Sequence, residues 1–354
     1  MRAVNVNQTL LLAPSVGLGG GIERYVDAIA TALGAAGVDC RRLNLREGNQ
    51  PLTALARLRF ARAVRRMVAD GHGPMRLVIA HVNLLPVLAL VARHPNYAGA
   101  SVIIHGGEIW SGHRMRGQRR LRSRHVRVAA VSNFSAGALA RTCRANVLPP
   151  LIDPQWFDTL VRSSELTRPP DDQLHLVTAF RLQSWRSKGL DTIIEAAESL
   201  DTSRIRLTVC GTGPVPPSLT NLTGRRPWCR ILPDLTDHQL AEQFALADLF
   251  VLATRTRAGA DASGEGFGLV ILEAQLTGTP VVAPAYAGSG DAFQPGMTGV
   301  APIDETPRAL AAEIGRFLED DKRRRAMGEA AATWARTRFS PHEHRGLLVR
   351  TLLA

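Results

Sequence analysis

Two glutamates separated by seven residues flank a glycine-rich turn in the second half of the chain. The segment reads Gly264-Glu265-Gly266-Phe267-Gly268-Leu269-Val270-Ile271-Leu272-Glu273, and it continues as an apolar run that stops at Gly278 and Pro280. Such a run predicts a helix, because a glycine just after it and a proline beyond end helices. Free backbone N–H groups at a helix N-terminus bind phosphate, while carboxylates accept hydrogen bonds from hydroxyl groups. The combination suits a nucleotide sugar; the alternative is an ordinary helix start with one glutamate favoured by the helix dipole and the other solvated.

A basic pair stands at the end of a predicted strand earlier in the same half. Arg181 closes the strand, and Lys188 precedes the next helical pattern. In parallel α/β sheets, ligands bind at the carboxyl ends of the strands, and a guanidinium together with an ammonium can clamp two phosphate groups. The backbone amides of Phe267, Gly268 and Leu269 would add uncharged donors to the same phosphate site.

Two further features fall in the first half of the chain. The loop Gly17-Leu18-Gly19-Gly20-Gly21 follows an apolar strand and leads into a helical pattern, but it does not match G-x-G-x-x-G cleanly. With Asp39 near the dinucleotide position, a dehydrogenase is an alternative, although it leaves the second-half motif unexplained. His105 ends an apolar strand and is followed by Gly106 and Gly107. This position favours a functional histidine over a buried, hydrogen-bonded one.

Short apolar strands alternate with helical patterns along the chain. This order predicts parallel sheets joined by right-handed crossovers, with Thr236 and Gln239 forming a capping box at one helix start. Two proline pairs, Pro149-Pro150 and Pro169-Pro170, bracket a polar segment that cannot form one continuous helix, so the domain boundary is predicted there. The predicted strands lie at 10–13, 77–81, 101–105, 126–131, 175–179, 206–210, 248–253 and 281–283.

Several of these motifs, in this order, resemble one protein family. Glu265 to Glu273 resembles the E-x7-E signature of retaining GT-B glycosyltransferases, particularly glycosyltransferase family 4. The resemblance extends from about Gly19 to Gly299 and rests on six elements. Besides the glutamates, these are Gly19-Gly20-Gly21-Ile22-Glu23, Val102-Ile103-Ile104-His105-Gly106, Ala130-Val131-Ser132, the pair Arg181 and Lys188-Gly189, and Gly211-Thr212-Gly213-Pro214.

The resemblance implies an α/β architecture, the GT-B fold, in which two Rossmann-like domains with parallel sheets face each other. It implies an acceptor-binding domain over residues 1–160 and a domain over residues 161–335 that binds the nucleotide-sugar donor. A C-terminal helix over residues 336–354 would return to the first domain.

The resemblance also assigns roles to individual residues. Arg181 and Lys188 match the cations that hold the leaving phosphate. Glu265 matches the carboxylate near the donor-sugar hydroxyls, His105 the histidine near the sugar or the acceptor, and Glu273 the glutamate that binds the ribose hydroxyls. Together, Arg181, Lys188, Glu265 and His105 form the expected catalytic set. The other donor-binding positions act mainly through their backbone, and they are Gly20, Gly21, Gly213, Phe267, Gly268 and Leu269.

The implied activity is transfer of a sugar from a nucleotide diphosphate sugar to an acceptor hydroxyl, with retention of the anomeric configuration. A UDP-sugar is the first expectation for the donor and GDP-mannose the second, in the synthesis of a glycan, glycolipid or secondary metabolite. We expect no cofactor besides this co-substrate and no metal, because no D-x-D element stands in a suitable loop. Two alternatives stay open: a pseudo-glycosyltransferase or non-catalytic sugar-nucleotide binder, and a sugar-nucleotide 2-epimerase.

Three departures from the family pattern stand out. Phe180 replaces the usual glycine before the arginine, and Pro150-Leu151-Ile152-Asp153 replaces the common P-N-G-V-D linker. The loop 254–264 is longer than the usual approach to the first glutamate. None of these departures removes a charged residue of the predicted donor site.

Positive charge is concentrated in the first part of the chain. Residues 1–160 hold 21 arginines and 8 acidic residues, whereas the rest of the chain is close to neutral. A basic amphipathic helix is predicted at 54–68, with Arg57, Arg59, Arg62, Arg65 and Arg66. The bias fits an anionic or lipid-linked acceptor and peripheral contact with an anionic membrane; an arginine-rich surface without such a role is an equal alternative. Nucleic acid is not an expected partner, because aromatic residues make up only 5% of the chain and no nucleic-acid-binding motif is present.

The four cysteines and ten histidines show no metal-binding spacing. We therefore expect buried free thiols and no metal site, with His342 and His344 on the surface. The first residues do not read as a signal peptide, and no apolar run is long enough to span a bilayer. The sequence thus predicts a soluble, cytoplasmic protein, with the basic segment suggesting peripheral contact at the inner face of the membrane.

Overall fold

The computed structural model describes residues 8–48, 50–110, 118–166, 172–257 and 262–353. The first seven residues, residues 111–117, the proline pair Pro169-Pro170 and part of the loop 254–264 lie outside these ranges. The described residues divide into two compact units. The first unit contains the described residues up to Asp153 and those from Pro341 onwards, and the second contains the described residues of Pro154–Arg257 and those from 262 to Ser340.

The first unit is built on a six-stranded, fully parallel sheet. Its strands are β1 (Gln8–Ala13), β2 (Asp39–Asn44), β3 (Met75–Ile79), β4 (Tyr97–Ile104), β5 (Val126–Ala130) and β6 (Ala145–Val147), in the spatial order β2-β1-β3-β4-β5-β6. Its helices before the chain enters the second unit are α1 (Gly21–Ala35), α2 (Ala54–Ala69), α3 (Leu88–Val91), α4 (Gly107–Trp110), α5 (Gln118–Leu121) and α6 (Asn133–Leu139).

The second unit contains another six-stranded parallel sheet. Its strands are β7 (Leu174–Arg181), β8 (Ile205–Thr212), β9 (Cys229–Pro233), β10 (Leu249–Val251), β11 (Val281–Val282) and β12 (Gly299–Val300), in the order β12-β11-β10-β7-β8-β9. Its helices are α7 (Pro154–Ser163), α8 (Leu190–Glu198), α9 (Pro217–Thr223), α10 (Asp237–Ala245), α11 (Leu269–Leu276), α12 (Pro307–Glu319) and α13 (Asp321–Arg338). The last helix of the chain, α14 (Pro341–Leu353), belongs to the first unit.

Burial explains why these segments form the first sheet and its helices. Leu10, Leu11 and Leu12 are fully buried in consecutive positions of β1, as expected for a parallel strand covered on both faces. In α2, Phe60, Val64 and Val68 recur every four residues and form the buried stripe. The arginines of α2 lie on the remaining surface of the helix and are exposed.

The second sheet is organised around β7 and β8, which pair along eight residues, from Leu174↔Ile205 to Arg181↔Thr212. Near the end of this pair, a Cβ atom on Gly211 would lie 2.2 Å from the Phe180 carbonyl oxygen, so β8 requires glycine there. The capping box predicted at Thr236 is present, with both reciprocal hydrogen bonds, at the start of α10.

The C-terminal helix α14 is tied to the first unit by buried hydrogen bonds. Ser101 Oγ donates to the Leu352 carbonyl at 2.6 Å, and the Nε2 atom of His344 lies 2.7 Å from the Pro149 carbonyl oxygen. The expectation of a surface histidine pair is therefore wrong for His344, which is buried, and right for His342, which is exposed. An imidazole can be buried in this way because a backbone carbonyl accepts its N–H.

All eight predicted strands are present, and the described residues form four further strands that were not predicted: β2, β6, β9 and β12. β2 carries mostly polar residues and pairs only with β1 at the sheet edge, while β12 is two residues long. Such strands lack the apolar run that predicts a buried strand. The segment between the proline pairs, expected to lack a continuous helix, contains the ten-residue helix α7.

Two sequence expectations concern thiols and membrane spans. All four cysteines are free, but only Cys210 and Cys229 are buried, whereas Cys40 and Cys143 are half-buried. Burial raises the pKa of the Cys210 and Cys229 thiols to about 12 each, which makes both poor nucleophiles at neutral pH. Within the described ranges, no helix has the length and apolar character required to cross a bilayer.

Candidate functional site

The carboxyl end of β7 leads into a short turn that carries both predicted cations. Arg181 is the last residue of β7, and its side chain is exposed. The turn then passes close to β10, because Gly189 has φ +72° and a Cβ atom there would lie 1.9 Å from the Ala253 carbonyl oxygen. Glycine is the residue that accepts both the left-handed backbone and the close approach. The turn thereby places Lys188 beside the chain that leaves β10.

Lys188 and Glu265 are in direct contact. Lys188 Nζ lies 2.6 Å from Glu265 Oε2, and Thr254 Oγ1 donates to the same oxygen at 3.1 Å. Both charged side chains are largely but not fully buried, with 26% of Lys188 and 16% of Glu265 exposed. An ammonium and a carboxylate in such a pair offset each other, which reduces the cost of taking them out of water. The arrangement can hold a phosphate through the lysine and a hydroxyl through the glutamate.

The glycine-rich turn connects Glu265 to α11. Gly268 precedes the first helical residue with φ +89°, and the amide of Gly288 donates to the Glu265 carbonyl at 3.0 Å. Gly288 packs closely on Gly266: a Cβ atom added to Gly288 would lie 1.9 Å from the Gly266 carbonyl oxygen. The Phe267 ring is buried and contacts Phe339 edge-on. The turn is thus held by Gly288 on one side and by Phe339 on the other, and α11 begins directly after it, at Leu269.

Glu273 lies one turn inside α11 and is almost fully buried, with 6% exposed. Its Oε1 atom accepts a hydrogen bond of 2.9 Å from the indole Nε1 of Trp156, a residue of α7. Neither the motifs nor the resemblance singled out Trp156. The sequence did contain a clue to Trp156, because a large aromatic side chain is unexpected in a segment that was interpreted as a linker.

Gly213 follows the last residue of β8 and has φ +89°. Its amide donates to Asp234 Oδ1 at 2.9 Å. The predicted donor-binding backbone at this turn is therefore fixed by a carboxylate at the end of β9, which sequence reasoning did not identify. The signal available was Asp234 itself, an acidic residue in the loop that follows β9.

In the first unit, the glycine loop after β1 is shaped by one buried carboxylate. Glu23 accepts hydrogen bonds from the Ser15 hydroxyl and from the amides of Leu18 and Gly19, each amide at 2.8 Å. Positive φ angles at Gly19 and Gly20 let the chain turn into α1, which starts at Gly21. Glu23 was part of the motif but had no assigned role; the structure identifies it as the residue that holds this loop.

His105 follows β4 in the same unit and is half-buried beside the rings of His81 and Tyr25. Its Nε2 lies 2.6 Å from the Ala80 carbonyl oxygen, which can only accept, so Nε2 carries the proton. Burial lowers the pKa of His105, with His81 acting in the same direction and Glu108 opposing. The two imidazoles stack at 5.9 Å, and the Tyr25 ring meets His105 edge-on at 6.0 Å. The lowered pKa favours the neutral ring, and in that form Nδ1 is the acceptor atom.

The predicted site residues fall into two groups. The second unit brings Lys188 and Glu265 into contact and holds Arg181, Gly213 and Glu273 on elements of the same sheet and its covering helices; Phe267, Gly268 and Leu269 form the turn that links its two glutamates. The first unit carries His105, Gly20 and Gly21 after strands β4 and β1. Within the described residues, no three histidine, cysteine or acidic side chains are grouped so that they could hold a metal ion.

Comparison with known proteins adds to this geometry. Residues 165–334 match the family described as glycosyl transferases group 1. A GDP-mannose-dependent alpha-(1-6)-phosphatidylinositol monomannoside mannosyltransferase of Mycobacterium tuberculosis is 30% identical over 264 residues, which span 70% of this chain and 68% of the relative. A D-inositol 3-phosphate glycosyltransferase of Corynebacterium glutamicum is 34% identical over 175 residues, spanning 46% of this chain and 39% of the relative.

Solved structures resemble the whole chain. Sucrose-phosphate synthase of Thermosynechococcus elongatus superposes with a TM-score of 0.75 at 20% identity, covering 97% of this chain and 98% of that one. HepE of Anabaena, in complex with UDP and glucose, gives 0.70 at 19% identity, covering 97% and 99%. These neighbours have the GT-B fold, and the two parallel six-stranded sheets agree with its two Rossmann-like domains. The chain belongs to the group 1 glycosyltransferases and has the GT-B fold.

Proposed function

We propose that this glycosyltransferase moves a sugar from a nucleoside diphosphate sugar to an acceptor hydroxyl with retention of the anomeric configuration, as in glycosyltransferase family 4. The observation that carries the proposal is the 2.6 Å pair of Lys188 and Glu265 beside the N-terminus of α11. Sugar transfer leaves negative charge on the departing diphosphate, so catalysis requires cations and amides aimed at that charge. Lys188, Arg181 and the first amides of α11 supply them.

Retention follows from the resemblance and needs no second carboxylate across the sugar ring. In a front-face mechanism the departing phosphate itself takes the acceptor proton, so the carboxylate spacing of retaining glycosidases is not required. Glu265 would accept hydrogen bonds from the donor sugar, and Glu273 from the ribose. His105 would accept a hydrogen bond from a sugar or acceptor hydroxyl through Nδ1, the ring nitrogen that does not contact the Ala80 carbonyl. No metal ion is assigned to this chemistry, because the diphosphate charge is met by side-chain cations.

The names of the relatives change the order of donors to test. The sequence alone put a UDP-sugar first, whereas the mycobacterial relative is named for GDP-mannose. GDP-mannose is therefore our first donor and UDP-sugars are second. The relatives' named acceptors, a phosphatidylinositol mannoside and inositol 3-phosphate, are both hydroxyl-rich and phosphorylated. We assign an anionic acceptor of this chemistry to residues 1–160, whose positive charge matches it, and the donor to residues 161–335.

The test is a transfer assay with product analysis. Purified protein is incubated with GDP-mannose or a UDP-hexose and with inositol phosphate or phosphatidylinositol vesicles. The anomeric configuration of any product is compared with that of the donor by NMR. An α-linked product from an α-donor supports the proposal, and a β-linked product contradicts retention. Donor binding without transfer would favour the pseudo-glycosyltransferase, and a changed free sugar nucleotide would favour the epimerase.

A further inference from the structure

Helix α7 places one aromatic donor against the glutamate proposed to bind ribose. The Trp156 indole Nε1 donates to Glu273 Oε1 at 2.9 Å, and each residue is 6% exposed. The contact joins residues 117 positions apart, and it forms because α7 packs on α11. Both partners belong to the second unit.

The hydrogen bond between Trp156 and Glu273 can form in one direction only. An indole N–H can only donate, and an ionised carboxylate can only accept. A hydrogen bond to a charged group inside a protein is among the stronger ones. A glutamate side chain has three rotatable torsions, so a rigid donor on one oxygen restricts the orientations that the carboxylate can adopt. It thereby sets the direction in which the carboxylate can accept further hydrogen bonds.

We infer that Trp156 is a positioning residue for nucleotide recognition: it holds Glu273 Oε1 so that the carboxylate is already oriented to accept hydrogen bonds from the ribose hydroxyls. The inference rests on the proposed role of Glu273 in donor binding. Orienting the acceptor before the ligand arrives removes an ordering cost from binding. Trp156 would therefore determine how strongly the enzyme distinguishes a ribonucleotide from a deoxyribonucleotide.

Isothermal titration with matched ligands tests this role. The probes are GDP and UDP, each compared with its 2′-deoxy and 3′-deoxy forms. Trp156→Phe keeps an aromatic ring but removes the N–H, and Trp228→Phe makes the same change just before β9, away from α7 and α11. We expect Trp156→Phe to bind the ribonucleotide about tenfold more weakly and to bind the deoxy forms almost as wild type does. Trp228→Phe should keep the wild-type ratio of ribo to deoxy affinity.

A double-mutant cycle with Glu273→Ala separates this inference from the proposed function. If Trp156 acts through Glu273, Trp156→Phe has no further effect on the ratio once Glu273 is alanine. A collapsed ratio in Glu273→Ala with a wild-type ratio in folded Trp156→Phe overturns the inference and leaves the proposed function intact. A wild-type enzyme that binds ribo and deoxy forms equally overturns the ribose assignment of Glu273 and the inference with it.

A spectroscopic measurement on the wild-type protein covers the case in which Trp156→Phe does not fold. The chain has five tryptophans, so the indole N–H region of a ¹⁵N spectrum is simple to assign by replacing the other four in turn. Saturating GDP or UDP should shift the Trp156 indole signal, because a ribose hydroxyl on Glu273 competes for carboxylate charge. The 2′,3′-dideoxy form should shift it less. An unmoved signal with bound ribonucleotide overturns the inference.

Discussion

Lys188 and Glu265 are 77 residues apart in the chain and form a half-buried ion pair. Since the two charges offset each other, the pair can be held beside the glycine-rich turn before α11 without a fully exposed or fully buried charge. An arriving diphosphate would share the lysine with the glutamate. At the residue scale, the proposed chemistry therefore depends on a cation that is already oriented.

The first prediction concerns the two cations. Arg181→Ala and Lys188→Ala should each lower kcat by a factor of about 10²–10³, as for other groups that stabilise developing negative charge. Arg186→Ala, which removes an exposed cation from the same turn, serves as the matched control and should change kcat little. Turnover is measured with saturating donor, and folding is checked by thermal melting. Folded variants of both cations with near-normal kcat would show that the leaving phosphate is held elsewhere.

The second prediction concerns metal. Because Arg181, Lys188 and helix amides are assigned to the diphosphate, turnover should persist when the enzyme is dialysed against EDTA. The assay compares rates before dialysis, after dialysis and after adding Mg²⁺ or Mn²⁺. Loss of activity with EDTA and rescue by either ion would contradict this assignment.

The third prediction follows from the lowered pKa of His105. Its folded pKa lies below the unfolded value of about 6.5, so the unfolded chain binds more protons in acid. The stability that His105 contributes is therefore complete above about pH 6.5 and falls as the pH drops below that value. Melting temperatures of wild type and His105→Gln, measured from pH 5 to 8, should converge towards low pH. His342→Gln, which changes an exposed imidazole, is measured in parallel as the control substitution.

At the element scale, the turns that carry Lys188 and Glu265 have shapes that only glycine allows. The turn before α8 touches the chain after β10 through Gly189, and the turn before α11 touches the Gly288 loop through Gly266. Helices and loops that pack this closely leave no room for a Cβ atom. Backbone contacts therefore help to set the positions of Lys188 and Glu265, together with their own ion pair.

The fourth prediction tests one of these turns. Gly189 has a left-handed backbone, with φ +72°, and the Cβ atom of an alanine there would lie 1.9 Å from the Ala253 carbonyl oxygen. Gly189→Ala should therefore destabilise the second unit by about 3 kcal/mol or more. Gly278→Ala is the control in the same unit, because Gly278 has φ +86° and no neighbouring atom within 4 Å of a Cβ. It should cost only about 1 kcal/mol. Urea unfolding measures both, and equal losses would show that the contact with Ala253 adds nothing.

At the scale of the whole molecule, charge is divided unequally along the chain. The first 160 residues carry most of the positive charge, and α2 combines exposed arginines with the exposed leucines Leu55 and Leu58. A helix of this kind suits an anionic lipid surface, since arginine attracts the headgroups while leucine enters the interface. Peripheral membrane contact remains our proposal for this surface.

The fifth prediction tests that proposal by vesicle sedimentation. Binding to anionic vesicles should exceed binding to neutral ones and weaken steeply with salt. Replacing all five α2 arginines by glutamine should abolish it. The control replaces five exposed arginines of the second unit, namely Arg204, Arg225, Arg316, Arg323 and Arg325. Equal sedimentation with both vesicle types, or none with either, would leave the α2 arginines as ordinary surface charge.

Structural features that depend only on residues close together in the sequence could be predicted from it. The apolar runs of β1, β7 and β8, the capping box at Thr236 and the helix that starts after Gly268 all follow from local patterns, because backbone geometry fixes their periodicity and ends. The same holds for the two glutamates flanking the glycine turn, which indicated the family before any contact was known. Edge strands such as β2 could not be predicted from the sequence, because their burial comes from one neighbouring strand rather than from their own composition.

Only the tertiary structure decided which distant groups meet. The pairing of Lys188 with Glu265, the hydrogen bond from Trp156 to Glu273 and the burial of His344 against Pro149 each join residues at least 77 positions apart. No local pattern encodes such contacts, because they arise from how whole helices and strands pack. The sequence by itself determined the chemical groups and the elements that carry them; packing determined the partner of each group, and hence the orientation in which it can act.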